Sequence, residues 1–143
     1  MKNLIIHIQP VIKPNPGNAG IGIVIYQDRT KIKEHGEYIG VMTNFQAYYI
    51  AVVKALELAE IFSPDKIVIH INNNTVVNQL KMTNKVNNSG LYRLYYKVRN
   101  SPLYAKCSFE LADNKHLLAT SLAEQALDER LNDLVDKDNH IVS

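Results

Sequence analysis

The sequence predicts a single α/β domain built on a five-stranded mixed sheet with helices on its faces. Three observations lead there. The chain has 143 residues, 46% hydrophobic and 21% charged, which suits one core of ordinary size. The first forty residues read as three strands separated by turn residues. From Thr43 onward, helical and strand-like periodicities alternate.

Residues 2–9 carry Leu4, Ile5, Ile6 and Ile8, the apolar run of a central strand. Pro10, Pro14, Asn15, Pro16 and Gly17 predict a turn. Ala19 to Tyr26 is a second β-branched run, Asp28-Arg29 a hairpin turn, and Lys31 to Gly40 a third, more polar strand. These three form an antiparallel meander. Thr43 can cap a helix whose Ala47, Ile50, Ala51, Ala55, Leu58 and Ala59 follow helical spacing until Ser63-Pro64. Residues 66–72 (KIVIHIN) predict a fourth strand, 75–82 a short helix and 84–90 a polar break. A helix follows with Leu91, Leu94, Tyr95 and Val98 on one face, then a fifth strand over 103–111. An acidic amphipathic helix over about 117–136 and a short tail complete a single domain, 1–143. The crossovers imply parallel pairing of the first, fourth and fifth strands.

Composition excludes several functions. The lone Cys107 rules out an internal disulfide and a cysteine-cluster metal site, and its apolar surroundings predict an inert buried thiol. No apolar run reaches the roughly 18 residues of a membrane span. The N-terminus enters a strand pattern without a small-residue cleavage site, so a cytoplasmic location and no membrane partner are expected. No Gly-rich phosphate loop, nucleophile elbow or zinc signature occurs. A formal charge of +2 is too small to argue for a nucleic-acid partner. Its distribution is uneven. Lys81, Lys85, Arg93, Lys97, Arg99 and Lys106 occur without one intervening acid, and eight acids follow from Glu110 onward.

Four local words, in order and each on its own element, resemble the ribonuclease H family of the compact, reverse-transcriptase-like branch. Asn15-Pro16-Gly17 running into Ile25 is similar to the family's Asn-Pro-Gly turn and second strand. Thr43-Asn44-Phe45-Gln46-Ala47-Tyr48-Tyr49 resembles Thr-Asn-Asn-x-Ala-Glu-Tyr at the start of its first helix. Asn72 to Leu80 resembles Asp-Ser-x-Leu-Val-Val-x-Gln-Leu, and Ala119 to Ala123 resembles the Ala-Asp-x-Leu-Ala of the last helix. The likeness spans Ile5 to about Leu127.

The resemblance implies hybrid cleavage by two divalent metals on four carboxylates. Carried over residue by residue, those positions are Gln9, Tyr48, Asn72 and Thr120, none charged at neutral pH. Hard cations want anionic oxygens. The same likeness that identifies the fold therefore argues against the activity, and no catalytic residue and no cofactor is expected. A Tyr48 ring would close the old metal pocket, its hydroxyl bonding Asn72 or Gln9. Mg²⁺ or Mn²⁺ is required only by the alternative of an active hybrid ribonuclease with atypical ligands.

His7 and His70 each precede a lost position by two residues, so each shares its face. Side by side, they are either imidazoles bonded to backbone or to each other, or a rebuilt site for a softer metal with His116. The turn and helix start that contact nucleic-acid backbone in the family retain Asn15, Thr43 and Asn44, while Phe45 departs. Arg93, Lys97 and Arg99 interleave with aromatics on a helix, either for stacking and phosphate contacts or as the solvated face of a helix whose Leu91, Leu94, Tyr95 and Val98 are core. The expected function is an inactive ribonuclease H–like module that binds an RNA–DNA hybrid, another nucleic acid or a protein. A structural homo-oligomer subunit without a nucleic-acid role is the further alternative.

Overall fold

The computed structural model describes residues 1–14, 17–82, 85–86 and 89–142, with side chains excluded for Ser89 and for 135–142. Its strands are β1 (Asn3–Lys13), β2 (Gly17–Gln27), β3 (Thr30–Met42), β4 (Lys66–Ile71) and β5 (Cys107–Leu111). Its helices are α1 (Asn44–Ala59), α2 (Asn74–Leu80), α3 (Ser89–Arg99) and α4 (Leu117–Val142). The sheet order is β3-β2-β1-β4-β5. β1, β2 and β3 pair antiparallel, while β4 is parallel to β1 and to β5, as the crossovers require.

Alternation along the strands creates two unlike faces. Leu4, Ile6 and Ile8 of β1 lie beside Ile21, Ile23 and Ile25 of β2 and Ile67, Ile69 and Ile71 of β4, all buried in one core, with α1 over β1 and β2 and α2 against β4. The opposite face receives α4, which lies over β2, β3 and β1. There β2 presents Gly20 and Gly22. A methyl group on Gly22 would overlap the Ala119 carbonyl, and one on Gly20 the Ala123 carbonyl. Small residues on both sides thus let the α4 backbone touch the sheet, which fixes where Thr120 stands.

Local chemistry sets the ends. Thr43 and Gln46 form a reciprocal capping box at the start of α1. Ser63, in a left-handed conformation before Pro64, closes the turn after α1. Asp28 and Arg29, both at positive φ, make the two-residue hairpin between β2 and β3.

Three boundaries differ from expectation, the first being that α4 runs on to Val142 where a tail was expected after about 136. Pro10 does not begin a turn, because β1 runs on to Lys13. Its pairing with β4 stops at His7, so one edge of β1 is free of strand partners at Pro10, where a missing N–H is tolerated. β5 begins at Cys107 and not at 103, since Tyr104–Lys106 form a 3-10 turn that tucks Leu103 into the core. The Cys107 thiol is half-buried, bonds the Leu103 carbonyl, and is pushed up to about 12 by burial. The polar break over 84–90 lies partly outside the described residues. Among the described residues, no helix is long and apolar enough to cross a membrane.

Candidate functional site: a cleft at the ends of β1 and β4

β1 leads outward to β2 on one side of the sheet, and β4 leads to β5 on the other. A crevice opens beyond their carboxyl ends, where parallel sheets place ligand sites. Gln9, Tyr48 and Asn72 meet there, on β1, on α1 and just after β4. The Tyr48 hydroxyl donates to the Asn72 carbonyl at 2.8 Å and accepts from Gln9 Nε2 at 3.4 Å. Gln9 Nε2 also donates to the Pro10 carbonyl at 3.2 Å. Gln9 is 2% exposed, and its Oε1 has no hydrogen-bond partner among the described residues. Burial raises the Tyr48 pKa, so its phenol stays protonated and donating.

Thr120 stands apart from this trio. Its hydroxyl donates to the His116 carbonyl one turn back, at 2.8 Å. Asn44 lines the cleft, whereas the Thr43 hydroxyl is committed to the cap of α1. Asn15 lies outside the described residues.

Three charged residues of the cleft escaped sequence reading: Lys13, Lys115 and Glu124. Glu124 follows Thr120 by four residues, one helical turn, and that spacing is the signal that could have found it. The four carried-over positions are uncharged, but Glu124 places an acid in the same cleft. Among its described lining residues are one carboxylate and two ammonium groups. Lys13 also stands 3.9 Å from Asp128, as an exposed pair.

The histidines form a stack. His7 and His70, paired in register, have ring centroids 4.7 Å apart and planes 11° apart. His116 covers the other side of His7 at 4.2 Å. His116 Nδ1 accepts the Ala119 N–H at 3.2 Å and so caps α4, while Nε2 faces the Tyr26 hydroxyl at 3.4 Å. Burial, with His116 and His70 beside it, lowers the His7 pKa to about 4. Burial and His70 also lower that of His116. Stacked rings turn faces to one another and not nitrogens to a common point. Among the described residues, no group of three His, Cys, Asp or Glu side chains is placed to hold a metal ion.

The basic trio of α3 is split. Arg93 is exposed. Lys97 lines a groove with Glu57 of α1 and Glu60 just after it. Arg99 lies elsewhere, donating to the Tyr95 hydroxyl at 3.0 Å. The three do not form one phosphate-binding face.

A family model described as reverse transcriptase-like matches residues 10–126. The chain belongs to that family. Its fold is the ribonuclease H fold. LC11 RNase H1, isolated from compost by a metagenomic approach and solved in complex with RNA/DNA hybrid, is 28% identical, with a TM-score of 0.84 over 90% of this chain and 99% of that one. RNase H1 of the halophilic archaeon Halobacterium salinarum is 28% identical, with a TM-score of 0.79 over 89% and 98%. The N-terminal RNase H domain of a Mycobacterium tuberculosis protein, at 24% identity and a TM-score of 0.81 over 87% and 98%, shares the fold. No curated protein matches the chain by sequence.

Proposed function

We propose that this chain is an inactive ribonuclease H–type domain that binds RNA–DNA hybrid in its cleft without cutting it. One observation carries the reading: the chemistry of the cleft lining. Among the described lining residues, Gln9, Tyr48 and Asn72 are neutral, Glu124 is the one carboxylate, and Lys13 and Lys115 are the cations, with Lys13 also 3.9 Å from Asp128. Two hard dications bring four positive charges and need anionic oxygens to offset them. The donor set does not fit them. Gln9 turns a donor nitrogen toward Tyr48, whose hydroxyl links it to the Asn72 main-chain carbonyl, so a phenol stands where the family has a carboxylate. What remains is a hydrogen-bonding crevice whose two exposed lysines can meet the backbone phosphates of a duplex. A homologous ribonuclease H1 was solved with such a hybrid bound, which makes the hybrid the first ligand to test.

The test is retention of a labelled RNA–DNA hybrid in chelator, with cleavage followed separately in Mg²⁺ and in Mn²⁺. Retention without metal and no cleavage are expected. The Lys13→Ala/Lys115→Ala variant should bind more weakly at low salt, with a salt slope shallower by about 1 per lysine. Metal-dependent cleavage above a buffer control overturns the inactive reading. Absence of retention at low salt overturns the binding one.

A further inference from the structure

α3 bears an aromatic groove that the cleft does not use. Met82, Lys85, Tyr92, Tyr95, Tyr96 and Arg99 line it, and none of them lines the cleft. Tyr92 and Tyr96 are one helical turn apart and 41% and 53% exposed. Their ring centroids are 5.9 Å apart with planes 22° apart, and Tyr95 meets Tyr96 edge-on at 5.7 Å. Leu91 and Val98 supply the buried side of this helix, so the core does not account for the two outer rings.

The cations of the groove are placed beside these rings. The Arg99 guanidinium bonds the Tyr95 hydroxyl and lies over the Tyr95 and Tyr104 rings, 5.8 and 5.2 Å from their centroids. Its side chain is thereby ordered before any ligand arrives. Lys85 lines the same groove, and no described lining residue is acidic. The whole span from Lys81 to Lys106 carries six cations and no acid. An apolar peptide would use the rings and gain nothing from that charge. A polyanion with flat, unpaired rings of its own uses both.

We propose that this groove binds single-stranded nucleic acid, with unpaired bases stacking on Tyr92 and Tyr96 and phosphates meeting Lys85 and Arg99. The site is separate from the cleft, so a strand running beyond a bound hybrid, or a free strand, would occupy it.

The experiment measures binding of a labelled oligo-dT or oligo-U of about fifteen nucleotides, and of a blunt duplex of equal length, to the full chain. Tyr92→Ala/Tyr96→Ala should weaken single-strand binding about tenfold or more, since base stacking is worth roughly 1–3 kcal/mol per base. Tyr92→Phe/Tyr96→Phe should stay within about twofold, because stacking needs the ring and not the hydroxyl. The chain has no tryptophan, so quenching of tyrosine emission by the oligonucleotide reports the contact directly. Unchanged affinity of the alanine variant, or equal tyrosine dependence for the blunt duplex, overturns the proposal. So does capture of a proline-rich peptide with no oligonucleotide binding. Lys13→Ala/Lys115→Ala separates the two sites, because it should weaken hybrid retention and leave the single-strand signal in place.

Discussion

The imidazole of His116 stacks on that of His7 at 4.2 Å while its Nδ1 caps α4 through the Ala119 N–H. One ring therefore joins a strand to the start of the last helix, and only its neutral form can do both. Protonation removes the accepting lone pair and sets like charges face to face.

Acid should therefore loosen this end of the molecule. His7 titrates near 4 when folded and near 6.5 when unfolded. Between those values the unfolded chain holds the proton and the folded chain does not. Stability present above pH 6.5 is lost as pH falls toward about 4. The ceiling is about 1.4 kcal/mol per pH unit per group, and partial solvent access lowers it. His70 of β4, Tyr26 of β2 and His116 at the start of α4 surround His7, and Glu110 is the register partner of His70 on β5. Urea midpoints measured from pH 7.5 to 4.5 should fall, and His7→Phe, which keeps a stackable ring, should flatten the slope. Identical midpoints at pH 7.0 and 5.0 would refute the account.

The close seat of α4 predicts a large effect from one methyl group. At Gly22 the added carbon meets backbone, the Ala119 carbonyl, which no rotamer change can move aside. Gly22→Ala should cost about 3 kcal/mol or more, at the upper end of overpacking. Gly36→Ala faces the Leu122 carbonyl at 2.7 Å and should cost less. Urea unfolding of the two variants gives the ranking, and a Gly22→Ala chain as stable as the parent would show that α4 stands off from β2.

Most of the fold was legible because it rests on local signals. The capping box at Thr43 and Gln46, the hairpin at Asp28-Arg29 and the apolar runs of β1 and β4 each state their element within a few residues. The stack of His7 on His70 follows from strand periodicity and parallel pairing together. The length of β1 did not follow, because whether a proline ends a strand depends on which edge has a partner, and that is a tertiary fact. Lys13, Lys115 and Glu124 were missed for a similar reason. They come to one cleft from β1, from the loop before α4 and from α4 itself; Glu124 alone carried a local signal, its spacing of four from Thr120, and no periodicity connects the two lysines to the site. The split of Arg93, Lys97 and Arg99 could have been read, since residues six apart on a helix face different sides.

Gln9 offers a test of the cleft at the level of one atom. Its Oε1 is buried without a partner, and an unpaired buried acceptor costs about 1–3 kcal/mol. Gln9→Met removes that cost along with the two long bonds from Nε2, at 3.2 and 3.4 Å. The opposing terms are of similar size, so the variant should lie within about 1 kcal/mol of the parent. A loss above about 2 kcal/mol in urea unfolding would reveal a bound group on Oε1.

On the proposed reading, carboxylates placed at the four carried-over positions should create a need for metal. Gln9→Asp, Tyr48→Glu and Asn72→Asp would place three carboxylates in the cleft that Glu124 lines, the first where Gln9 is 2% exposed, and Thr120→Asp would add a fourth one helical turn from Glu124. Without a cation these charges repel and are poorly solvated. A buried charge left uncompensated costs roughly 3–5 kcal/mol, so the fourfold variant should melt well below the parent. Mn²⁺ or Mg²⁺ would supply the missing countercharge. Millimolar Mn²⁺ should then raise the variant's Tm by several degrees while leaving the parent's unchanged, through preferential binding to the folded state. Where the variant does not fold alone, refolding with and without Mn²⁺ gives the same readout. Metal-dependent hybrid cleavage in the variant, absent from the parent, would follow from the same four residues. A folded variant indifferent to Mn²⁺ would mean that Thr120, whose hydroxyl turns back to His116, does not converge with the other three, and the assignment of these positions would fall.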